Sequence, residues 1–137
     1  MNHIKQSLFL GTIFAACAIV YPAFGKDVKI TLSGANEVPP VTTSATGEGT
    51  ISIADDGAVS GSVTTKGIQG SAAHIHMAAA GKNGPVIVPF TKEGDTYKAP
   101  AGAKLTAEQM TAFKAGGLYF NVHSAANPGG EIRAQLQ

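Results

Sequence analysis

The sequence predicts an all-β protein, a Greek-key β-sandwich or barrel of short antiparallel strands with one short helix inserted near residues 106–115. Two observations favour this class. Apolar and polar residues alternate with period two in short segments, and turns containing glycine or proline separate these segments. Tryptophan is absent and aromatic residues make up only 7% of the chain, so small and β-branched residues carry the pattern.

The first 25 residues are predicted to be a secretory signal peptide. A short polar start precedes the apolar run SLFLGTIFAACAIV, which is too short to span a bilayer comfortably. Small residues at Ala23 and Gly25 indicate cleavage after Gly25, which leaves residues 26–137 as a single domain. The alternative is lipoprotein processing, with Cys17 of the sequence FAAC as the lipidated residue.

Composition and charge argue against several classes of function. Cys17 is the only cysteine, so an exported domain cleaved after Gly25 has no disulfide and depends on packing, with or without a metal. Once Lys5 is removed with the signal peptide, nine basic residues balance nine acidic residues. Without a basic run, we expect no nucleic-acid partner and no polybasic membrane patch. The expected location is the periplasm or the extracellular space, with no membrane span after cleavage.

Most of the domain is predicted to form strands. VKITLSG (28–34) alternates as a half-buried strand does, and the loop ANEVPPVTTSA follows it. TGEGTISIADDGAVSGSVTT (46–65) predicts a hairpin that turns at DDG. IQGSAAHIHMA (68–78) and VIVPFT (86–91) predict two further strands, and DTYKAP indicates one more.

One segment has helical periodicity instead. KLTAEQMTAFKAGG (104–117) places its large apolar residues at helical spacing, and Thr106 followed by Gln109 matches a capping box. After this helix, LYFNVHS (118–124) and EIRAQL (131–136) predict a closing hairpin with a longer connection.

The histidines of the domain are predicted to lie on the side of their strands that faces away from the core. Alternate residues of a strand face opposite sides. Because Ile75 is apolar and should point inward, His74 and His76 lie together on the other face. The same parity places His123 and Arg133 on the non-core side of the closing hairpin.

This arrangement predicts a metal site. Two imidazoles at positions i and i+2 of one strand bind a metal in many β proteins. His123 completes a set of three ligands if its strand lies next to the strand of His74 and His76. An imidazole-only set suits copper, zinc or nickel, and three ligands with an open fourth position, most simply filled by water, are typical of a reactive site. Asn121, Asn127 and Glu131 lie close enough in sequence to support the ligands. The alternative is that the three residues are ordinary surface histidines.

A family resemblance is carried by three stretches that together cover about residues 28–136. They are LSGANEVPPVTTSATGEGTISI, AAHIHMAAAGKNGPVIVPF and LTAEQMTAFKAGGLYFNVHSAANPGGEIRAQL. These stretches resemble the CHRD domain, a module first described in chordin and common in bacterial secreted proteins. The resemblance implies an extracellular or periplasmic β-sandwich and leaves the activity open. A protein-interaction or structural module without a metal is therefore the alternative to metal binding.

A more distant similarity is to copper/zinc superoxide dismutases. His74 and His76 in HIH, and His123 in NVH, resemble copper ligands of that family, and Arg133 resembles its anion-guiding arginine. The similarity implies copper-only redox chemistry on a small anion such as superoxide, with the copper cycling between two oxidation states. The bridging histidine, zinc cluster, disulfide cysteines and long electrostatic loop of that family are missing here. If the chain is an enzyme, it is expected to be a copper-only oxidoreductase resembling these dismutases.

Overall fold

A computed structural model describes residues 25–137 of the chain. The predicted signal peptide and Cys17 lie outside the described residues, except that Gly25 begins the first strand. Within residues 25–137, no helix is long and apolar enough to cross a membrane.

The described residues form nine strands and one α-helix, with a single 3-10 turn at Gly34–Asn36. In chain order the strands are β1 (Gly25–Leu32), β2 (Thr46–Ala54), β3 (Val59–Lys66), β4 (Gly70–Met77), β5 (Val86–Pro89), β6 (Thr91–Glu93), β7 (Thr96–Lys98), β8 (Leu118–Ser124) and β9 (Ile132–Gln135). The helix, α1 (Ala107–Lys114), lies between β7 and β8.

The strands assemble into two antiparallel sheets. The first sheet has the order β1-β2-β3-β7-β6, and the second has the order β5-β4-β8-β9. The predicted all-β class is confirmed, and the architecture is a sandwich. The barrel alternative is wrong, because within residues 25–137 no strand of the first sheet pairs with a strand of the second and only an isolated bridge, from Ser33 just after β1 to Arg133, connects them.

The hydrophobic core fills the space between the sheets. On the second sheet, the apolar residues that parity directs inward are buried, except that Met77 is only partly buried against the core; the buried ones are Ile75, Leu118, Phe120, Val122, Ile132, Ala134 and Leu136. They pack against apolar residues of the first sheet, among them Val28, Ile30, Ile51 and Val63. Full burial of such a side chain contributes about 1.5–3 kcal/mol, which fixes the face that each strand turns to the core.

The helix begins where its capping box predicts. The Thr106 side chain accepts a hydrogen bond from the Gln109 backbone N–H, and the Gln109 side chain accepts one from the Thr106 backbone N–H. Phe113 is buried in the core and anchors the helix. Gly116 follows the last turn with φ of +75°, a conformation that favours glycine.

Two strand pairings place the histidines. The central strands β4 and β8 pair antiparallel, with His74 opposite Asn121 and Ala72 opposite His123. The predicted closing hairpin is β8 paired with β9, and it sets Asn121 opposite Arg133. His74, Asn121 and Arg133 therefore form a row on the face of the second sheet turned away from the core, which we call the outer face.

Candidate metal centre

Three histidines converge on the outer face. One nitrogen from each of His74, His76 and His123 can be chosen so that all three atoms lie within 4.8 Å of one another. Nδ1 of His74 lies 3.1 Å from Nε2 of His123. Two nitrogens bound to one ion at about 2.0–2.1 Å are at most about 4.2 Å apart, so a small inward movement of the rings would enclose an ion.

His76 has one ring nitrogen held and the other free. Its Nδ1 donates a hydrogen bond of 3.0 Å to the carbonyl oxygen of Gly84, so Nε2 carries the lone pair of the neutral ring. His76 is only 6% exposed, and Nε2 is buried without a hydrogen-bond partner. Buried polar atoms are nearly always paired, so this lone pair is available to a hydrogen-bond donor or to a metal ion. Such burial also does not suit an ordinary surface histidine.

His123 is oriented in the same way. Its Nδ1 donates to the carbonyl oxygen of Pro128 at 2.8 Å, which leaves Nε2 facing Nδ1 of His74. Metal-ligating histidines commonly donate their other ring N–H to a carbonyl or carboxylate, because this fixes the tautomer and the ring orientation. Two of the three rings meet that condition.

His74 and His76 favour the neutral form. Burial, together with smaller contributions from the neighbouring rings of His123 and His76, lowers the pKa of His74 to about 4. Burial also lowers the pKa of His76, although the Gly84 carbonyl and the Asn121 side chain oppose this effect. Neutral imidazoles offer lone pairs to a metal without first releasing a proton.

The outer face beyond the histidines is also buried. Tyr119, Asn121 and Arg133 are each no more than 2% exposed, and Glu37 is buried beside them. Alternation predicts the side of the sheet for these residues, but it does not reveal that loops cover that side. The covering segments are the loop after β1 and the loop between β4 and β5, which supply the contacts described below.

Asn121 lies at the centre of this buried layer. Its Nδ2 donates to Oε1 of Glu37 at 3.3 Å, while its Oδ1 is buried without a partner. Gly130 packs against both side chains, with φ of +125° and no room for a Cβ. Burial raises the pKa of Glu37, and the hydrogen bond from Asn121 and the positive charge of Arg133 act against that rise.

The two other predicted supporting residues hold the turn that carries Pro128. One carboxylate oxygen of Glu131 accepts from Ser124 at 2.7 Å and from Asn127 at 3.1 Å, and the other accepts from Thr43 at 2.9 Å. Burial by itself raises the pKa of Glu131, but these hydrogen bonds outweigh it and hold the pKa below its ordinary value. The network braces the turn whose carbonyl orients His123.

Arg133 shares the outer face, and its guanidinium contacts the loop between β4 and β5. It is 1% exposed. Its Nη2 donates to the carbonyl oxygen of Lys82 at 2.7 Å, and its Nη1 donates to Oδ1 of Asn83 at 3.1 Å. The guanidinium carbon lies 3.4 Å from the ring centroid of Tyr119. Guidance of an anion by Arg133 stays a prediction.

Fold and site together define an antiparallel β-sandwich with a cluster of three histidines suited to a metal on its outer face. The family model of the CHRD domain matches residues 28–136. The chain therefore belongs to the CHRD domain family, as the sequence resemblance predicted. Comparisons with curated proteins and with solved structures found no match.

Proposed function

We propose that the chain is an exported CHRD domain that binds copper through His74, His76 and His123. The observation that carries this proposal is Nε2 of His76, which is buried and unpaired while Nδ1 of the same ring is held by Gly84. One nitrogen from each of the three imidazoles lies within 4.8 Å of the other two. The signal-peptide pattern and the CHRD family support a periplasmic or secreted location.

Copper is the metal that the ligand set favours. The cluster contains only imidazoles among the described residues, with no thiolate or carboxylate. For nitrogen ligands the affinity of divalent ions rises to a maximum at copper, above nickel and zinc. Three protein ligands leave a coordination position open, and His74 and His123 are only half-buried, so solvent reaches the cluster.

Redox chemistry is the finer part of the proposal. Bound copper supplies one-electron chemistry suited to a small anion such as superoxide. The chain itself contributes backbone carbonyls that orient two of the rings, Gly84 for His76 and Pro128 for His123. Because the guanidinium of Arg133 is buried, any attraction it exerts on an anion acts at a distance through its charge.

Copper titration tests the proposal. The cleaved domain, residues 26–137, contains only the three histidines of the cluster and no cysteine, so it is the form to titrate. We expect one tight equivalent of Cu(II) by calorimetry, with nitrogen couplings in the electron paramagnetic resonance spectrum, and loss of both in His76→Ala. Thr106→Ala is the matched control, because it weakens the fold through the distant helix cap and should leave binding intact.

Two results would change the proposal. Weak, non-stoichiometric binding that is the same in His76→Ala contradicts a copper site, and the chain is then better explained as an extracellular interaction or structural module. Tight binding of Cu(II) without acceleration of superoxide decay keeps the metal site and removes the dismutase-like activity. Competition with Zn(II) checks the choice of metal.

A further inference from the structure

The loop between β4 and β5, residues 78–85, determines the orientation of His76. Gly84 in this loop provides the carbonyl oxygen that accepts from Nδ1 of His76. The Gly84 backbone N–H donates to the hydroxyl of Tyr119 at 3.2 Å, and the Asn83 side chain donates to the carbonyl oxygen of Val38 at 2.7 Å. The position of the His76 ring therefore depends on where this loop lies.

Arg133 fastens that loop to the sheet. From β9 its guanidinium donates to consecutive loop residues, Lys82 and Asn83, directly before Gly84. Hydrogen bonds from a charged donor are stronger than neutral ones, and the rigid planar group can satisfy two acceptors at once. A lysine in its place presents a single point charge and cannot reproduce the pair.

A second route connects the same two residues through an aromatic ring. The Tyr119 ring is stacked on His76, with centroids 4.7 Å apart and an angle of 4° between the planes. The guanidinium of Arg133 contacts the ring of Tyr119 in a cation–π arrangement. Arg133 thus influences His76 both through the loop and through Tyr119.

We propose that Arg133 is a positioning residue of the metal centre, which clamps residues 78–85 so that the Gly84 carbonyl holds His76 with Nε2 aimed at the ion. This proposal rests on the proposed copper function, and it assigns Arg133 a role that requires no contact with an anion.

The experiment compares Arg133→Gln and Arg133→Lys with the parent chain, all as the cleaved domain of residues 26–137. Asn83→Ala is added because Asn83 is exposed, so this variant should fold even if the Arg133 variants do not. Gln135→Ala is the control on the same strand for specificity within the loop, since its side chain donates to the carbonyls of Ala78, the first loop residue, and Gly116, and not to the residues directly before Gly84. The readouts are Cu(II) affinity, nitrogen couplings, and the exchange rate of the His76 Nδ1 proton in the metal-free protein by NMR.

We expect Arg133→Gln to weaken Cu(II) binding by about 10- to 100-fold, the usual effect of removing a residue that orients a ligand. The variant should also lose one nitrogen coupling and exchange the His76 proton faster. Arg133→Lys should recover only part of the affinity, and Asn83→Ala should show a smaller loss of the same kind. Gln135→Ala should bind Cu(II) as the parent does.

Parent-like affinity, couplings and proton exchange in Arg133→Gln and Asn83→Ala would overturn the positioning role. An equal loss in Gln135→Ala would also overturn it, because the effect would then be general destabilisation of the outer face. Failure of the parent chain to bind Cu(II) contradicts the proposed function instead. In that case the NMR measurement on the metal-free protein still decides whether Arg133 holds His76.

Discussion

The two faces of the second sheet are buried to a similar degree but are built differently. The inner face is apolar, and Ile75, Phe120 and Ile132 are completely shielded from solvent. The outer face is polar, yet Asn121 and Arg133 are only 1% exposed. Burial stabilises the inner face directly, whereas on the outer face each polar group requires a partner to offset its loss of water.

That requirement makes exceptions informative. Within residues 25–137, two buried side-chain atoms have no hydrogen-bond partner, Nε2 of His76 and Oδ1 of Asn121, and both belong to the outer face. A gap on an apolar face costs contact energy, but it does not identify a ligand. An unpaired lone pair on a polar face can accept a hydrogen bond or bind a Lewis acid, and at His76 the proposed metal would fill that role.

Ile132→Asp should break the inner face and produce the largest effect. A charge without a partner in the core costs several kcal/mol, so we expect an unfolded chain by circular dichroism at room temperature. Ile132→Val is the control and should cost only about 0.5–1.5 kcal/mol. A cooperative, parent-like melting curve for Ile132→Asp would contradict the assignment of this face to the core.

His74→Ala should abolish Cu(II) binding and leave the fold intact. Because this residue is half-buried and has no backbone partner for its ring among the described residues, we expect a stability change of about 1 kcal/mol or less. Stoichiometric Cu(II) binding should disappear in calorimetry. Retention of the full set of nitrogen couplings would show that His74 is not a ligand.

Glu131→Gln should reveal the cost of breaking a polar network beside the site. We expect about 1–3 kcal/mol of destabilisation at pH 7 from the loss of a charged acceptor. The folded pKa of Glu131 is lowered, so its contribution is present above the unfolded pKa of about 4.3 and is lost as the pH falls through the folded value. The difference in Tm between parent and variant should therefore shrink from pH 5 to pH 3, and a constant difference would argue against an ionised Glu131.

Thr106→Ala should have the smallest effect on stability, because Thr106 lies at the helix cap and contributes to neither face of the second sheet. Loss of the capping hydrogen bond should cost about 1 kcal/mol in chemical denaturation. Cu(II) affinity should stay within experimental error of the parent. A weaker affinity would mean that the helix and the metal site are coupled.

Local patterns in the sequence predicted most strands, the side of the sheet on which the site residues lie, and the start of the helix. Period-two alternation located most of the strands, although the segment predicted as one strand at 86–91 is divided between β5 and β6 in different sheets. Parity alone assigned His74, His76 and Arg133 to the side away from the core. The capping box located the start of the helix. These features depend on neighbouring residues, so a single sequence contains them.

Features that depend on distant residues were not predictable in this way. The pairing of β4 with β8 brings together residues 49 positions apart, and no local pattern specifies that choice. The burial of the outer face was missed, since it depends on loops that fold back over the sheet. Gly130 is consistent with this burial, because a side chain at position 130 would collide with Glu37 and Asn121. A glycine in the turn NPGG is also expected from turn preferences alone, so it did not predict the burial.

The separation between His74 and His123 also links metal binding to folding. A site assembled from remote strands exists only after the sheet has formed, so an ion that binds there selects the native chain over the unfolded one. At a free ion concentration 100 times the dissociation constant, this linkage adds about 2.7 kcal/mol to the stability. Residues 25–137 contain no cysteine, so a bound ion would stabilise the folded domain as a disulfide stabilises many exported proteins.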